Sequence, residues 1–288
     1  MSKNYVLFNP LAGNKRCGTE IKMIEAMLDG EILYCDMTKP ETYSDILPEM
    51  QRGDILIVCG GDGTLKNALD NYRDKPIFFV PCGTFNETRH LGDSINFVGD
   101  CNGQSFGYVC ATGSFTEIGY STKCADKRRL KCFAYILQVL KWYKSHKIKA
   151  RINIDGKSFD GEYTLLMAIK NNTCFGFPFN KMYDKKPQPY LLGVKSCGND
   201  NLFNRAKMFF PFFRIFFCGV RQPTVRKGWF MLPFDNATIT LDKPRDFCID
   251  GELRTFDGEL RLTARTLTHP VTILDCPQNV KKHLRHTR

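Results

Sequence analysis

Residues Ile55–Cys59 (ILIVC) are apolar at every position and run without interruption into Gly60-Gly61-Asp62-Gly63-Thr64, with a helical pattern over Thr64–Tyr72. A strand apolar on both faces must be covered on both, as in a parallel sheet flanked by helices. Glycines at such a strand end let the backbone approach a ligand closely. The helix that follows presents N–H groups and the positive end of its dipole, which suits an anion. Thr64 adds a hydroxyl donor for a phosphate. Asp62 is out of place beside a phosphate unless a bridging Mg²⁺ or an ordered set of donors offsets its charge.

Two further loops follow predicted strands of the same sheet. Asn9-Pro10-Leu11-Ala12-Gly13-Asn14 comes after Tyr5–Phe8, and Pro81-Cys82-Gly83-Thr84-Phe85-Asn86-Glu87 after Ile77–Val80. Helical patterns over Thr19–Leu28 and Tyr43–Met50 and a strand at Ile32–Cys35 complete a βαβα order. That order predicts a doubly wound α/β domain, whose ligands bind beyond the carboxyl ends of the strands. Each loop alone reads as turn chemistry; the three together are specific and predict a phosphate-binding site.

The pattern then changes, with a boundary expected near residues 112–130. Ser105–Ala111 alternates like a strand, and Arg129–His146 reads as a long amphipathic helix. Short alternating runs follow at Ile148–Ile154, Tyr163–Lys170, Leu191–Lys195, Thr224–Phe230, Ala237–Leu241, Phe247–Ile249, Glu259–Leu262 and Val271–Leu274, separated by Gly, Pro, Asn and Asp. This predicts an all-β sandwich or barrel. The expected organisation is an α/β domain over 1–122 that carries the three loops, a β-rich domain, read as a sandwich, over 123–278, and a basic tail over 279–288.

Charge divides in the same way. Residues 1–122 hold 10 Lys and Arg against 16 Asp and Glu, a balance of −6, and the remainder holds 31 against 14, a balance of +17. A basic half suits an anionic membrane, a phosphorylated ligand or nucleic acid. No nucleic-acid reading motif occurs, so no nucleic-acid partner is expected. The 13 cysteines are scattered and include no CxxC pair, which predicts reduced thiols rather than a zinc or redox centre. The N-terminus lacks a signal-peptide pattern, and no stretch is long and apolar enough to span a bilayer. Met208–Val220 comes nearest, interrupted by Pro211, Arg214 and Gly219. The expectation is a cytoplasmic protein, peripheral at membranes. Seven phenylalanines lie between Phe203 and Phe217, with Arg205, Lys207 and Arg214 among them. They read equally as an interfacial segment or as a core helix. The five histidines show no ligand spacing, and the sequence leaves a homodimer open.

With NPLAGN, GGDGT and GTFNE in that order, and Cys248-Ile249-Asp250-Gly251-Glu252 late in the chain, the sequence resembles the diacylglycerol kinase catalytic-domain superfamily. That superfamily includes bacterial diacylglycerol kinases, YegS-like lipid kinases, and sphingosine and ceramide kinases. NAD kinases share GGDGT, while the late DGE on a β-rich domain favours the lipid-kinase branch. The resemblance implies ATP and Mg²⁺ as cofactors and transfer of the γ-phosphate to a hydroxyl of diacylglycerol or a related lipid at an anionic membrane surface. It implies an ATP site lined by Asn9, Pro10, Leu11, Ala12, Gly13, Gly60, Gly61, Asp62, Gly63, Thr64, Leu65, Lys66, Gly83, Thr84, Asn86 and Glu87, with Thr38 a less specific contact. Asp62 would meet a Mg²⁺ carried by ATP. The resemblance further implies Asp250 as general base with Glu252 beside it, in an interdomain cleft, and a return of the tail, 279–288, to the first domain. Two departures stand out. Asn86-Glu87 replaces the family's Asn-Asp, and the family's metal loop is poorly matched by residues 172–189, where Asp184 alone is acidic. Asp-Gly also occurs at Asp155, Asp160 and Asp257, each read as a turn. A kinase of a soluble hydroxyl substrate such as NAD, or a non-catalytic binding relative, is the alternative.

Overall fold

The apolar runs become parallel strands where expected. The computed structural model describes residues 3–26, 28–39, 49–51, 53–83, 86–88, 92–116, 144–173 and 178–274. Most of the predicted helix over Tyr43–Met50, nearly all of that over Arg129–His146, and the basic tail lie outside them. The chain forms two compact units: one runs to Phe97 and resumes from Thr266, and the other is Val98–Arg265.

In the first unit, β1 (Lys3–Phe8), α1 (Arg16–Glu25), β2 (Glu31–Asp36), β3 (Ile55–Gly60), α2 (Asp62–Tyr72) and β4 (Ile77–Pro81) follow one another. The strands lie parallel in the order β2-β1-β3-β4. One face, with Val6, Ile57, Cys59, Phe78 and Val80, packs against Cys17, Ile21 and Ile24 of α1. The alternate residues Leu7, Leu56, Val58 and Phe79 are buried as well, and α2 buries Leu65, Ala68 and Leu69. Helices therefore cover a sheet that is apolar on both sides. Helix α1 starts before the predicted Thr19.

The second unit is antiparallel and β-rich. Strand β5 (Ser94–Cys101) enters it, followed by β6 (Gln104–Phe106), β7 (Val109–Gly113), β8 (Ile148–Ile154), β9 (Lys157–Ile169) and β10 (Tyr190–Lys195). Helix α3 (Leu202–Phe212) continues into a π-helical turn, Phe213–Phe217. Then come β11 (Thr224–Arg226), β12 (Trp229–Pro233), β13 (Asn236–Leu241), β14 (Arg245–Ile249), β15 (Glu252–Phe256) and β16 (Glu259–Ile273), whose residues from Thr266 belong to the first unit. Strand β9 pairs with β8 over its first half and with β10 and β7 over its second.

Four expectations need correcting. The units divide at Phe97, not at 122, because β6 and β7 already belong to the antiparallel unit, where β7 pairs with β9 and β14. The runs Ser105–Ala111 and Thr224–Phe230 each split into two strands around a turn. Val271–Leu274 is the end of β16, not a separate strand. Asp160-Gly161-Glu162 is no turn: it lies inside β9, opposite Arg151, Ala150 and Lys149. The described cysteines are free thiols, most of them buried. Among the described residues no helix is long and apolar enough to cross a membrane.

Candidate functional site

Because β1, β3 and β4 are parallel neighbours, the loops that leave them share one end of the sheet. After β1, Asn9 donates its N–H to the Cys59 carbonyl at 3.2 Å, and its Oδ1 accepts from the Leu11 N–H at 2.9 Å. This turn carries Pro10 and an exposed Leu11 into a short 3-10 helix that begins at Ala12, with Gly13 at a positive φ of 57°. After β4, the N–H groups of Cys82 and Gly83 both donate to the Gly60 carbonyl, at 2.8 and 3.1 Å. Gly83 is required there: a Cβ on it would lie 2.7 Å from the Gly61 Cα and 2.4 Å from Asn86 Oδ1. A Cβ on Gly60 would strike the Thr64 side chain.

Gly61 caps α2 in an extended conformation with no side-chain hydrogen bond. Helix N-termini leave their first N–H groups without intrahelical acceptors, so this end suits an anion. Asn86 Oδ1 is buried and has no hydrogen-bond partner among the described residues. An orphaned acceptor costs free energy unless a ligand or water meets it.

Asp62 closes the site from within. Its Oδ2 accepts from the Glu87 N–H at 2.8 Å, and its Oδ1 accepts from the N–H and hydroxyl of Thr88. Burial pushes its carboxyl up to about 6, against the opposing pull of these donors. A donor network thus balances Asp62, with both carboxylate oxygens engaged by N–H and hydroxyl donors. Among the described residues no cluster of His, Cys, Asp and Glu could hold a metal ion.

Other expected residues take different parts. Leu65 is a core side chain whose N–H donates to the Gly61 carbonyl. Lys66 is buried with its ammonium 2.8 Å from Asp70. Thr38 is exposed after β2, and its hydroxyl donates to Asp36. Gly63 lies in the first turn of α2, and Thr84 falls outside the described residues. Asp184 accepts from the Asn172 amide at 2.9 Å.

In the second unit, Asp250 and Gly251 form the two-residue loop between β14 and β15, with φ of 48° and 91°. Positive φ at both positions is the mark of a type I′ hairpin. Asp250 is buried and accepts from the backbone N–H groups of Gly107, Tyr108 and Val109, the last two at 3.0 and 2.9 Å. Its charge also acts on Lys170, a fully buried lysine that burial pushes down to about 7 while Asp250 holds it up. Glu252 opens β15, half-exposed, with its carboxylate 3.1 Å from Arg254. Sequence reasoning missed Thr88 and Lys170. Lys170 could have been suspected, because it ends the apolar run Leu165–Ile169 with a charge.

Comparison with known proteins matches these features. The sequence model of the diacylglycerol kinase catalytic domain matches residues 3–96. A diacylglycerol kinase of Staphylococcus aureus (strain bovine RF122 / ET3-1) is 25% identical over 199 residues, 60% of this chain and 63% of the relative. One from Staphylococcus carnosus (strain TM300) is 27% identical over 199 residues, 60% of this chain and 65% of the relative. The chain thus spans just under two thirds of the length of these relatives. Among solved structures, a protein from Bacillus anthracis str. Sterne named a diacylglycerol kinase superposes with a TM-score of 0.62 at 17% identity, and another from the same organism with 0.70 at 18%. Each pair covers 96% of this chain and 98% of the other, which shows a shared fold. The three converging loops thus lie within residues 3–96, the region that is similar to the diacylglycerol kinase catalytic domain.

Proposed function

We propose that the chain is an ATP-dependent lipid kinase that transfers the γ-phosphate to a hydroxyl of diacylglycerol or a related lipid. The observation that carries this is the approach of Gly83 to Gly61 beside the buried, unpartnered Asn86 Oδ1. Backbone this close leaves no side chain between a phosphate and the N-terminus of α2, and the orphaned acceptor fits a ribose hydroxyl or a base amino group. The residues present therefore fit a nucleotide. Mg²⁺, bound with the triphosphate, would neutralise its oxygens; no protein ligand is assigned to it, since Asp62 is committed to Glu87 and Thr88.

Phosphoryl transfer needs little covalent chemistry from a protein beyond positioning and charge. The proposed role of Asp250 is to accept the proton of the attacking hydroxyl. Its three N–H donors fix the carboxylate, and such donors favour the ionised form. The same donors support a second reading, in which Asp250 only braces the hairpin and the chain binds nucleotide or lipid without turnover.

One assay separates the readings. The full chain is supplied with ATP and Mg²⁺ and offered diacylglycerol, monoacylglycerol, ceramide and phosphatidylglycerol in mixed micelles, with NAD in parallel. Phosphate on a lipid is the expected result; phosphate on NAD alone, or ATP binding without ADP release, overturns the proposal. Asp250→Asn keeps a residue at ease with positive φ. It is expected to lower turnover at least about 100-fold, within the range general-base catalysis supplies, with ATP affinity unchanged. Retained turnover removes the base assignment.

A further inference from the structure

Helix α3 and its π-helical turn carry two aromatic ladders on opposite sides. The inner one packs inward: Met208, Phe212 and Ile215 are buried, and Phe212 meets Phe115 edge-on at 5.1 Å. The outer one faces solvent: Phe209 stacks on Phe213 at 5.6 Å and Phe213 on Phe217 at 5.3 Å, with Phe217 65% exposed and neighbouring Phe210 75% exposed. Pro211 removes a backbone donor in mid-helix, and the register widens into the π turn directly after it. Leu202, Phe203 and Val225 are exposed on the same stretch of chain. An apolar ridge this continuous marks a surface that meets another phase or another molecule.

The charge around the ridge decides between these. Residues 202–228 contain Arg205, Lys207, Arg214, Arg221, Arg226 and Lys227 and no Asp or Glu. Arg205 is paired with Asp200 just outside the stretch, Arg214 donates to the Gly219 carbonyl, and Lys207 sits 4.2 Å over the Phe203 ring. Arg221, Arg226 and Lys227 are exposed. A second copy seated on the same ridge would bring like charges face to face, since a two-fold interface repeats one surface. An anionic bilayer answers both features. Aromatic rings enter the boundary between headgroups and acyl chains, and cations meet lipid phosphates.

We propose that the outer ladder Phe209–Phe213–Phe217, with Phe210, docks this chain on an anionic lipid bilayer. This deepens the lipid-kinase reading and rests on it only for the identity of the occupant. The test uses the full chain and vesicles of phosphatidylcholine with or without phosphatidylglycerol. The chain is expected to sediment with the phosphatidylglycerol vesicles and to be released by salt. The triple variant Phe209→Ser/Phe213→Ser/Phe217→Ser should bind at least about tenfold more weakly, given the apolar area withdrawn from the bilayer. Phe213→Trp, a single aromatic exchange, should shift its emission to the blue on the same vesicles. Undiminished binding by the triple variant, or an unshifted emission, overturns the proposal. So does a dimer in sedimentation velocity that the serine variant dissolves, which would assign the ridge to a second copy. Turnover of short-chain diacylglycerol in detergent micelles is read separately. Vesicle docking without any such turnover removes the kinase reading alone, and turnover with ridge-independent docking removes this proposal alone.

Discussion

Two buried carboxylates, Asp62 and Asp250, are held by the same device: each accepts from backbone N–H groups of a distant segment and so ties two parts of its unit together. They differ in their company. Asp62 has no cation among the causes that set its acidity, and burial pushes it up to about 6. Asp250 acts on Lys170, a lysine that burial pushes down to about 7. A lysine neutralised more easily in the folded than in the unfolded chain makes the unfolded state bind more protons between about 7 and its ordinary 10.5. Stability from this group therefore rises with pH across that window and is lowest below 7. Lys170→Met removes the contribution. Chemical denaturation at pH 7 and pH 9 should show wild type gaining on the variant by roughly 1.4 kcal/mol per pH step. An equal gain in both would mean that Lys170 does not titrate in this range. Hydrogen bonding with neighbouring cysteines, Cys17 for Cys59 and Cys101 for Cys110, and then burial raise the Cys59 and Cys110 thiols, which opposes the trend only at higher pH. Neither carboxylate's partners are readable from sequence, because Gly107–Val109 lie over a hundred residues from Asp250 and donate only backbone.

At the scale of elements, the parallel strands were legible because burial on both faces forces continuous apolar runs, as in Ile55–Cys59. The turn residues were less reliable. Asp155-Gly156 and Asp250-Gly251 both adopt positive φ in two-residue hairpin loops, yet Asp160-Gly161 sits inside β9. The dipeptide permits a turn without requiring one, and the pairing of β9 with β8 keeps that strand extended. The glycines of the site separate by the same logic. Gly83 has backbone 2.7 Å from where its Cβ would be, whereas a Cβ on Gly61 would find its nearest atoms at 3.6 Å. Gly83→Ala must therefore shift a loop and should lose about 1–3 kcal/mol of stability, the usual cost of overpacking, together with ATP binding. Gly61→Ala should melt like wild type and lose affinity alone, because its methyl group intrudes only on a ligand against the start of α2. Thermal unfolding and ATP titration of both variants check the contrast; equal melting losses would refute it.

The whole molecule shows where sequence reasoning reached its limit. Alternation in Ser105–Ala111 announced the change from parallel to antiparallel sheet, but a boundary drawn from charge and the long helical pattern fell at 122 instead of 97. Local pattern cannot show which strands pair at long range. Local pattern likewise left the return of the chain to the first unit unread; the family resemblance alone implied one, for the tail 279–288. Thr272 and Ile273 pair in parallel with Phe78 and Phe79 of β4, the Leu274 N–H donates to the Phe79 carbonyl at 2.8 Å, and Leu274 belongs to the apolar cluster that α1 covers. Without this segment β4 would present an unpaired edge whose side chains are apolar on both faces, and such an edge invites aggregation. The glycine-rich loops therefore depend on residues almost two hundred positions further along. A fragment of residues 1–97 should accordingly be poorly soluble, lack a cooperative unfolding transition and fail to bind ATP. Appending residues 266–288 through a flexible linker should restore all three properties. Introducing buried charge at Val271 and Ile273 in that fusion, Val271→Glu with Ile273→Glu, should abolish the rescue, since both side chains are buried in the native unit. Cooperative melting and ATP binding by the 1–97 fragment alone would show that the returning strand is dispensable, and that the Gly-rich loops are held by β1 to β4 without it.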